Sequence, residues 1–177
     1  EVRKFLLMLG STNFTNKRNF LKQLKFLKTE IHTTMNVEAV VKACESMSKT
    51  KTGVLIVLER THNLDFAKPS GDKMNCEINK PILESIFYKN SPLHDGAMLI
   101  KENYIIATRV ILPLSKKTLP SRFGLRHRAA IGIIEKTDAL CLVISEETGK
   151  ISYIKDGEFV LFKNSNELIE TIRYDLN

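Results

Sequence analysis

Arg126, His127 and Arg128 stand together in Phe123-Gly124-Leu125-Arg126-His127-Arg128-Ala129-Ala130, directly after a glycine and before a run that reads as helix. Backbone N–H groups at a helix start lack intrahelical partners, and the helix dipole favours negative charge there. Arginine adds planar, paired donors that match phosphate oxygens. The stretch is therefore a candidate anion clamp. Upstream lies a second polar cluster, His94-Asp95-Gly96-Ala97. Asp95 can bind a divalent cation or take a proton from a hydroxyl, and neutral His94 can add a metal ligand. A third group, Ser145-Glu146-Glu147-Thr148-Gly149, ends an apolar run, and either glutamate can complete a metal site. Together these are the parts that metal-assisted chemistry on a nucleotide needs.

Taken singly, each cluster has a plainer reading. Asp95 before Gly96 can be a turn residue bonding its own backbone. Glu146 and Glu147 can be an acidic turn, and the Arg-His-Arg run an exposed basic helix start. His32 and His62 have no partners at ligand spacing. Gly-rich phosphate loops are absent, so phosphate binding would fall to the Arg-His-Arg run.

The elements that must position these residues follow from periodicity. Val2, Phe5, Leu6 and Leu9 fit a short helix ended by Gly10-Ser11, and a second helix fits 20–27, with lysines on its outer face. Asn36 can cap a helix over 37–48, with Val37, Val40, Val41, Cys44 and Met47 on one side. Residues 54–58 form an apolar run that reads as a central strand buried on both faces. The polar stretch 60–79 reads as a loop, and Pro81 can start a helix over 82–88. Residues 97–100 and 104–112 read as a hairpin, 113–120 as a loop and 124–135 as a helix. A second buried strand is expected over 139–145. Asp156-Gly157 is a two-residue turn signal between strands 151–155 and 158–162. A helix over 166–176, capped by Asn164 or Ser165, closes the chain. Interleaved strands and helices without a repeat or second core imply one α/β (or α+β) domain with a central mixed β-sheet flanked by helices.

Composition agrees: 177 residues, 43% hydrophobic and 27% charged, suit one soluble core. A net charge of +7 suits an anionic partner or a solvated, Lys-rich surface. Cys44, Cys76 and Cys141 form no paired motif, which suits a reducing compartment. No run reaches the roughly 18 apolar residues of a membrane span. The chain starts on Glu1, which reads as part of a longer protein that a membrane segment could precede.

In order and spacing, the clusters resemble the diadenylate cyclase domain (the DisA N-terminal or DAC domain). Ser91-Pro92-Leu93-His94-Asp95-Gly96-Ala97 is similar to its Asp-Gly-Ala motif. Gly124-Leu125-Arg126-His127-Arg128-Ala129-Ala130-Ile131-Gly132 is similar to its Arg-His-Arg motif. Thr137-Asp138-Ala139 and Ser145–Gly149 resemble the strand and turn that follow, and 53–60 the strand before the first motif. The likeness covers roughly 36–155. Glu1–Gly10 resembles the segment joining membrane helices to this domain in the membrane-bound CdaA-type branch. The implied division is an N-terminal helical segment, 1–35, and a catalytic domain, 36–177.

The resemblance implies condensation of two ATP into cyclic di-AMP with release of two pyrophosphates, in a face-to-face homodimer. It assigns the attacking ribose hydroxyl to Asp95 and phosphate contacts to Arg126, His127, Arg128 and Ser145. Gly96, Ala97, Leu112 and Leu125 are the other ATP-binding positions, Leu112 lining the adenine pocket. His94, Asp95 and Glu147 would bind Mn²⁺ or Mg²⁺, with Co²⁺ a further candidate. The expected location is the cytoplasmic side of a bacterial cell membrane, with the membrane attached through a preceding segment. Two positions depart from the pattern. Leu125 stands where the family usually has Thr, which removes a hydroxyl donor. Ile111 stands where an aromatic commonly stacks on adenine. The rival readings are a nucleotide-binding sensor without catalysis and a nucleic-acid-binding module. The second lacks interleaved aromatics, which are 7% of the chain with no Trp, so no nucleic-acid partner is expected.

Overall fold

The computed structural model describes residues 35–177. The helices expected over 2–9 and 20–27, and the segment 1–35 holding them, lie outside the described residues except for Met35. The first helix, α1 (Val37–Lys49), is capped by Asn36, whose side-chain oxygen accepts from Ala39 N at 3.0 Å. Its buried residues Val37, Val40, Val41, Cys44 and Met47 are those the periodicity selects. Strand β1 (Val54–Leu58) is buried at every position. After a 3-10 turn at Lys68–Ser70 come β2 (Asp72–Glu77) and α2 (Lys80–Phe87). Asn79 caps α2 by accepting from Ile82 N at 2.9 Å. Next are β3 (Ala97–Lys101), β4 (Tyr104–Val110), α3 (Leu125–Ile134) and β5 (Leu140–Ile144). The hairpin β6 (Ile151–Lys155) and β7 (Glu158–Val160) precedes α4 (Ser165–Leu176), which is capped by Asn164.

Seven strands form one mixed sheet in the order β2-β4-β3-β1-β5-β6-β7. Only β1 and β3 pair in parallel. Alternation along the central strands sends Val54, Ile56, Leu58, Leu142 and Ile144 into a core with α1, α2 and α4. It sends Leu55, Val57, Leu99, Cys141 and Val143 into a second core with α3. The result is the expected α/β class, a mixed sheet between helical layers.

One expected loop is partly a strand. Residues 72–77 were expected to be irregular because they are polar, yet they form β2, which pairs only with β4. At a sheet edge a strand needs few apolar residues. Met74 and Cys76 are half-buried while Asp72, Lys73, Asn75 and Glu77 are exposed, an alternation with period two. β4 ends at Val110 and β7 at Val160, each two residues earlier than the hydrophobic runs suggest.

The pairing places the motifs in one row. Ile56 lies opposite Met98 in the parallel pair, and Val54 opposite Ile144 in the antiparallel pair. These registers bring Gly53, Asp95 and Ser145, which flank the strands, to the same end of β1, β3 and β5. Ala97 pairs with Val110, so the exit of β4 toward Leu112 reaches the same edge.

The Pro113–Ser115 loop closes against α3. Ser115 N donates to the Arg128 carbonyl at 3.0 Å. A Cβ on Gly132 would collide with the carbonyl oxygen of Pro113. Gly→Ala in an unobstructed helix stabilises by ~1 kcal/mol. Here Gly132→Ala is expected to destabilise by roughly 1–3 kcal/mol, the usual effect of overpacking. A urea-unfolding midpoint at or above wild type would contradict this packing.

Candidate active site

Arg126 lies in the first turn of α3, after Gly124, which offers no side-chain cap to the helix N–H groups. Its guanidinium crosses the row at Gly53. A Cβ on Gly53 would sit 2.5 Å from Arg126 Nη1 and 2.7 Å from Cζ, so a side chain there would displace the guanidinium from its present place. Arg126 Nη1 donates to Glu146 Oε2 at 2.8 Å, and its Nε is buried without a partner. A cationic donor set at an uncapped helix start, with one N–H unfilled, suits an oxyanion. Arg128, one residue past His127, is half-buried and makes no ion pair among the described residues.

His94 and Asp95 lie at the other end of the row. His94 Nδ1 is 2.6 Å from the Ser91 carbonyl, to which it donates, leaving Nε2 as the lone-pair nitrogen. Nε2 faces Asp95 Oδ1 at 3.5 Å, and the Asp95 side chain is 81% exposed. An imidazole lone pair beside an open carboxylate fits a divalent cation, with the tautomer fixed from behind. No group of three His, Cys, Asp or Glu able to hold a metal forms among the described residues. Glu147, exposed on the turn after β5, is thus not gathered with His94 and Asp95. Two protein donors still suit Mg²⁺, which commonly takes its other ligands from phosphate and water.

Gly96 has φ +92° and packs on Arg109 and Val110, so a side chain there would be both strained and obstructed. Ala97 begins β3, fully buried. Ser145 anchors its turn: Oγ accepts from Thr148 N at 3.3 Å and its carbonyl accepts from Gly149 N at 2.8 Å. Leu112 is 7% exposed and packs in the α3-side core, whereas Leu125 is 70% and Ile111 75% exposed.

His127 does not share the open edge with Arg126. It is buried, with Nε2 3.3 Å from Ser152 Oγ and its ring 4.8 Å from that of Phe123, which stacks on Phe159. Consecutive helical residues point about 100° apart, so His127 turns inward when Arg126 turns to the edge. A direct phosphate contact from His127 is therefore not what this placement provides; it anchors the start of α3. A concavity of about 830 Å³ lies beside this aromatic group against the β6–β7 hairpin and is not lined by Asp95 or Arg126. The row, with its charges and unfilled donor, is the better candidate for chemistry. Sequence reasoning missed Gly53 and the Glu146 pairing. A lone glycine before a buried strand was the only available signal for the first, and nothing linked residues 126 and 146.

Comparisons with known proteins bear on the family and the fold. The model of the family described as "DisA bacterial checkpoint controller nucleotide-binding" (DAC) matches residues 41–159. A diadenylate cyclase, CdaS, of Bacillus thuringiensis is 48% identical over 67% of this chain and 59% of its own. The cyclic di-AMP synthase CdaA of Bacillus subtilis is 37% identical over 89% of this chain and 56% of its own. The chain thus spans less than two thirds of either relative. The crystal structure of a DacA double mutant from Staphylococcus aureus superposes with a TM-score of 0.75 at 38% identity, covering 79% of this chain and 94% of that one. The chain belongs to the DAC family.

Burial pushes the His127 imidazole down to about 4 from its ordinary 6.5. The unfolded chain therefore binds more protons than the folded one between those values, and stability falls as pH drops from 6.5 toward 4. The expected loss from this residue is at most about 3 kcal/mol. His127→Gln, which takes up no proton, should flatten that slope in urea titrations across this window; an unchanged slope would exclude His127 as its source.

Proposed function

We propose that this chain is the catalytic domain of a diadenylate cyclase, joining two ATP into cyclic di-AMP with release of two pyrophosphates. The observation that carries this reading is the row itself: an open carboxylate at Asp95 and an arginine with one unfilled donor at Arg126 lie toward the same end of the central strands, in a family whose relatives include named cyclases.

Asp95 would accept the proton of a ribose 3′-hydroxyl. The freed 3′-oxygen bonds to the α-phosphorus of the other nucleotide, and the bond from that phosphorus to the bridging oxygen of pyrophosphate breaks. Repeating the step in the opposite sense closes the ring. Arg126 and Arg128 would stabilise the charge developing on the phosphates. Ser145, Gly96 and Ala97 form the floor under the nucleotide, and Leu112 the apolar side of the base pocket. His94 and Asp95 would hold Mn²⁺ or Mg²⁺, with Glu147 as the further carboxylate that the resemblance assigns to the cation. When bound, that cation neutralises phosphate charge and lowers the pKa of the attacking hydroxyl. Each edge holds one nucleotide, whereas each bond needs two, so two chains would face each other. Attachment at the inner face of a bacterial membrane rests on the likeness of Glu1–Gly10 to a membrane-linking segment. No helix among the described residues is long and apolar enough to cross a membrane.

Incubation with ATP and Mn²⁺ or Mg²⁺ should give a product with the mass of cyclic di-AMP. ATP binding without product would favour the sensor reading. Asp95→Asn is expected to lower the rate about 10²- to 10⁴-fold, the range for a general base, with circular dichroism unchanged. Near-normal turnover would remove Asp95 from that role. Activity per chain should also fall on dilution; constant activity down to a proven monomer would exclude the facing pair.

A further inference from the structure

We propose that Glu146 competes with nucleotide phosphate for Arg126 and thereby sets nucleotide affinity. This rests on the reading of Arg126 as a phosphate ligand. The two partners differ in freedom. Arg126 is 22% exposed and lies on the bare backbone of Gly53, while the Glu146 side chain is 65% exposed. The guanidinium is the fixed member and the carboxylate the movable one.

A mostly buried guanidinium without an anion is costly, so an unliganded edge needs a counter-charge. Glu146 supplies it through a single bond of 2.8 Å, from Nη1 to Oε2, and leaves the buried Nε unfilled. This is less than the two-point fork a carboxylate can make with arginine. A phosphate oxygen reaching Arg126 must displace Glu146 or lie beside an uncompensated carboxylate, which repels it. Displacement is easy in structural terms, because Glu146 makes no other hydrogen bond or ion pair among the described residues and stands at the water boundary. Glu146 thus supplies the counter-charge for Arg126 while the edge is empty and is subtracted from the affinity when the nucleotide arrives.

The test is calorimetric binding of α,β-methylene ATP, which does not react at the α-phosphorus, to the full chain and to its Glu146→Gln, Glu146→Ala and Arg126→Ala variants. Adenosine, which has no phosphate, serves as the comparison ligand. Both Glu146 variants should lower Kd for the analogue by about two- to fivefold, the scale of a half-exposed ion pair, and leave adenosine unchanged. In turnover the same variants should lower KM more than they change kcat. An unchanged or raised Kd in both variants overturns the proposal, as does equal tightening of adenosine, which would mean a change in pocket shape. Arg126→Ala separates the two readings. If it weakens the analogue while the Glu146 variants have no effect, Arg126 remains a phosphate ligand and only the competition fails. If it binds the analogue as wild type does, the phosphate role of Arg126 fails, and the competition with it.

Discussion

Every other feature of the site depends on the register between β3, β1 and β5. Parallel pairing of β1 with β3 brings two strand beginnings to one edge, and antiparallel pairing of β1 with β5 brings a strand end beside them. Asp95, 42 positions after Gly53, and Ser145, 92 positions after it, are thereby brought to the same end of neighbouring strands. A slip of one residue in either pairing would turn the side chains of a whole strand to the opposite face, burying them in the wrong core. Both cores hold the register, because each central strand alternates between them and is buried throughout.

A second constraint sets α3 against that row. The helix is nearly all apolar after Arg128, with Ala129 through Ile134 buried, so packing rather than surface charge fixes its depth. Gly132 lets the Pro113–Ser115 loop approach, and Phe123, His127 and Phe159 hold the first turn. Arg126 then lies over Gly53. Gly132 provides a close approach where a Cβ would meet the backbone of Pro113, whereas a Cβ at Gly53 would meet the side-chain ends of Arg126 and Glu146.

Much of this was legible in the sequence. Asn36, the helical repeat Val37-Val40-Val41-Cys44-Met47, and the apolar runs at 54–58 and 139–145 specify local structure with strong period and clear caps. The three polar clusters were visible because each couples chemistry-bearing residues to a glycine or a strand end. β2 was not legible as a strand, since an edge strand can be polar and its alternation, Met74-Cys76, is too short to stand out. The inward turn of His127 was hidden for a different reason. Three consecutive cationic residues read as one cluster in a linear chain, but helical rotation distributes them around an axis. The Arg126–Glu146 pair joins residues 20 positions apart and depends on tertiary packing, which no local pattern encodes.

Exposure across the row runs against the ordinary logic of a buried active site, and the direction of the departure is informative. Arg126 is mostly covered, His94 is one-third exposed and Asp95 is almost fully open. Around them, Ile111 and Leu125 present apolar side chains to water. A general base whose carboxylate stands in bulk water lacks most of the electrostatic advantage that a closed site gives. Within one chain, among the described residues, nothing covers this edge. If Asp95 is the base proposed above, a second surface that excluded water from it and took up the exposed leucine and isoleucine would make the arrangement more efficient. A reaction that needs a second nucleotide supplied from outside would call for such an open half-site, and this supports the facing pair over a self-sufficient monomer.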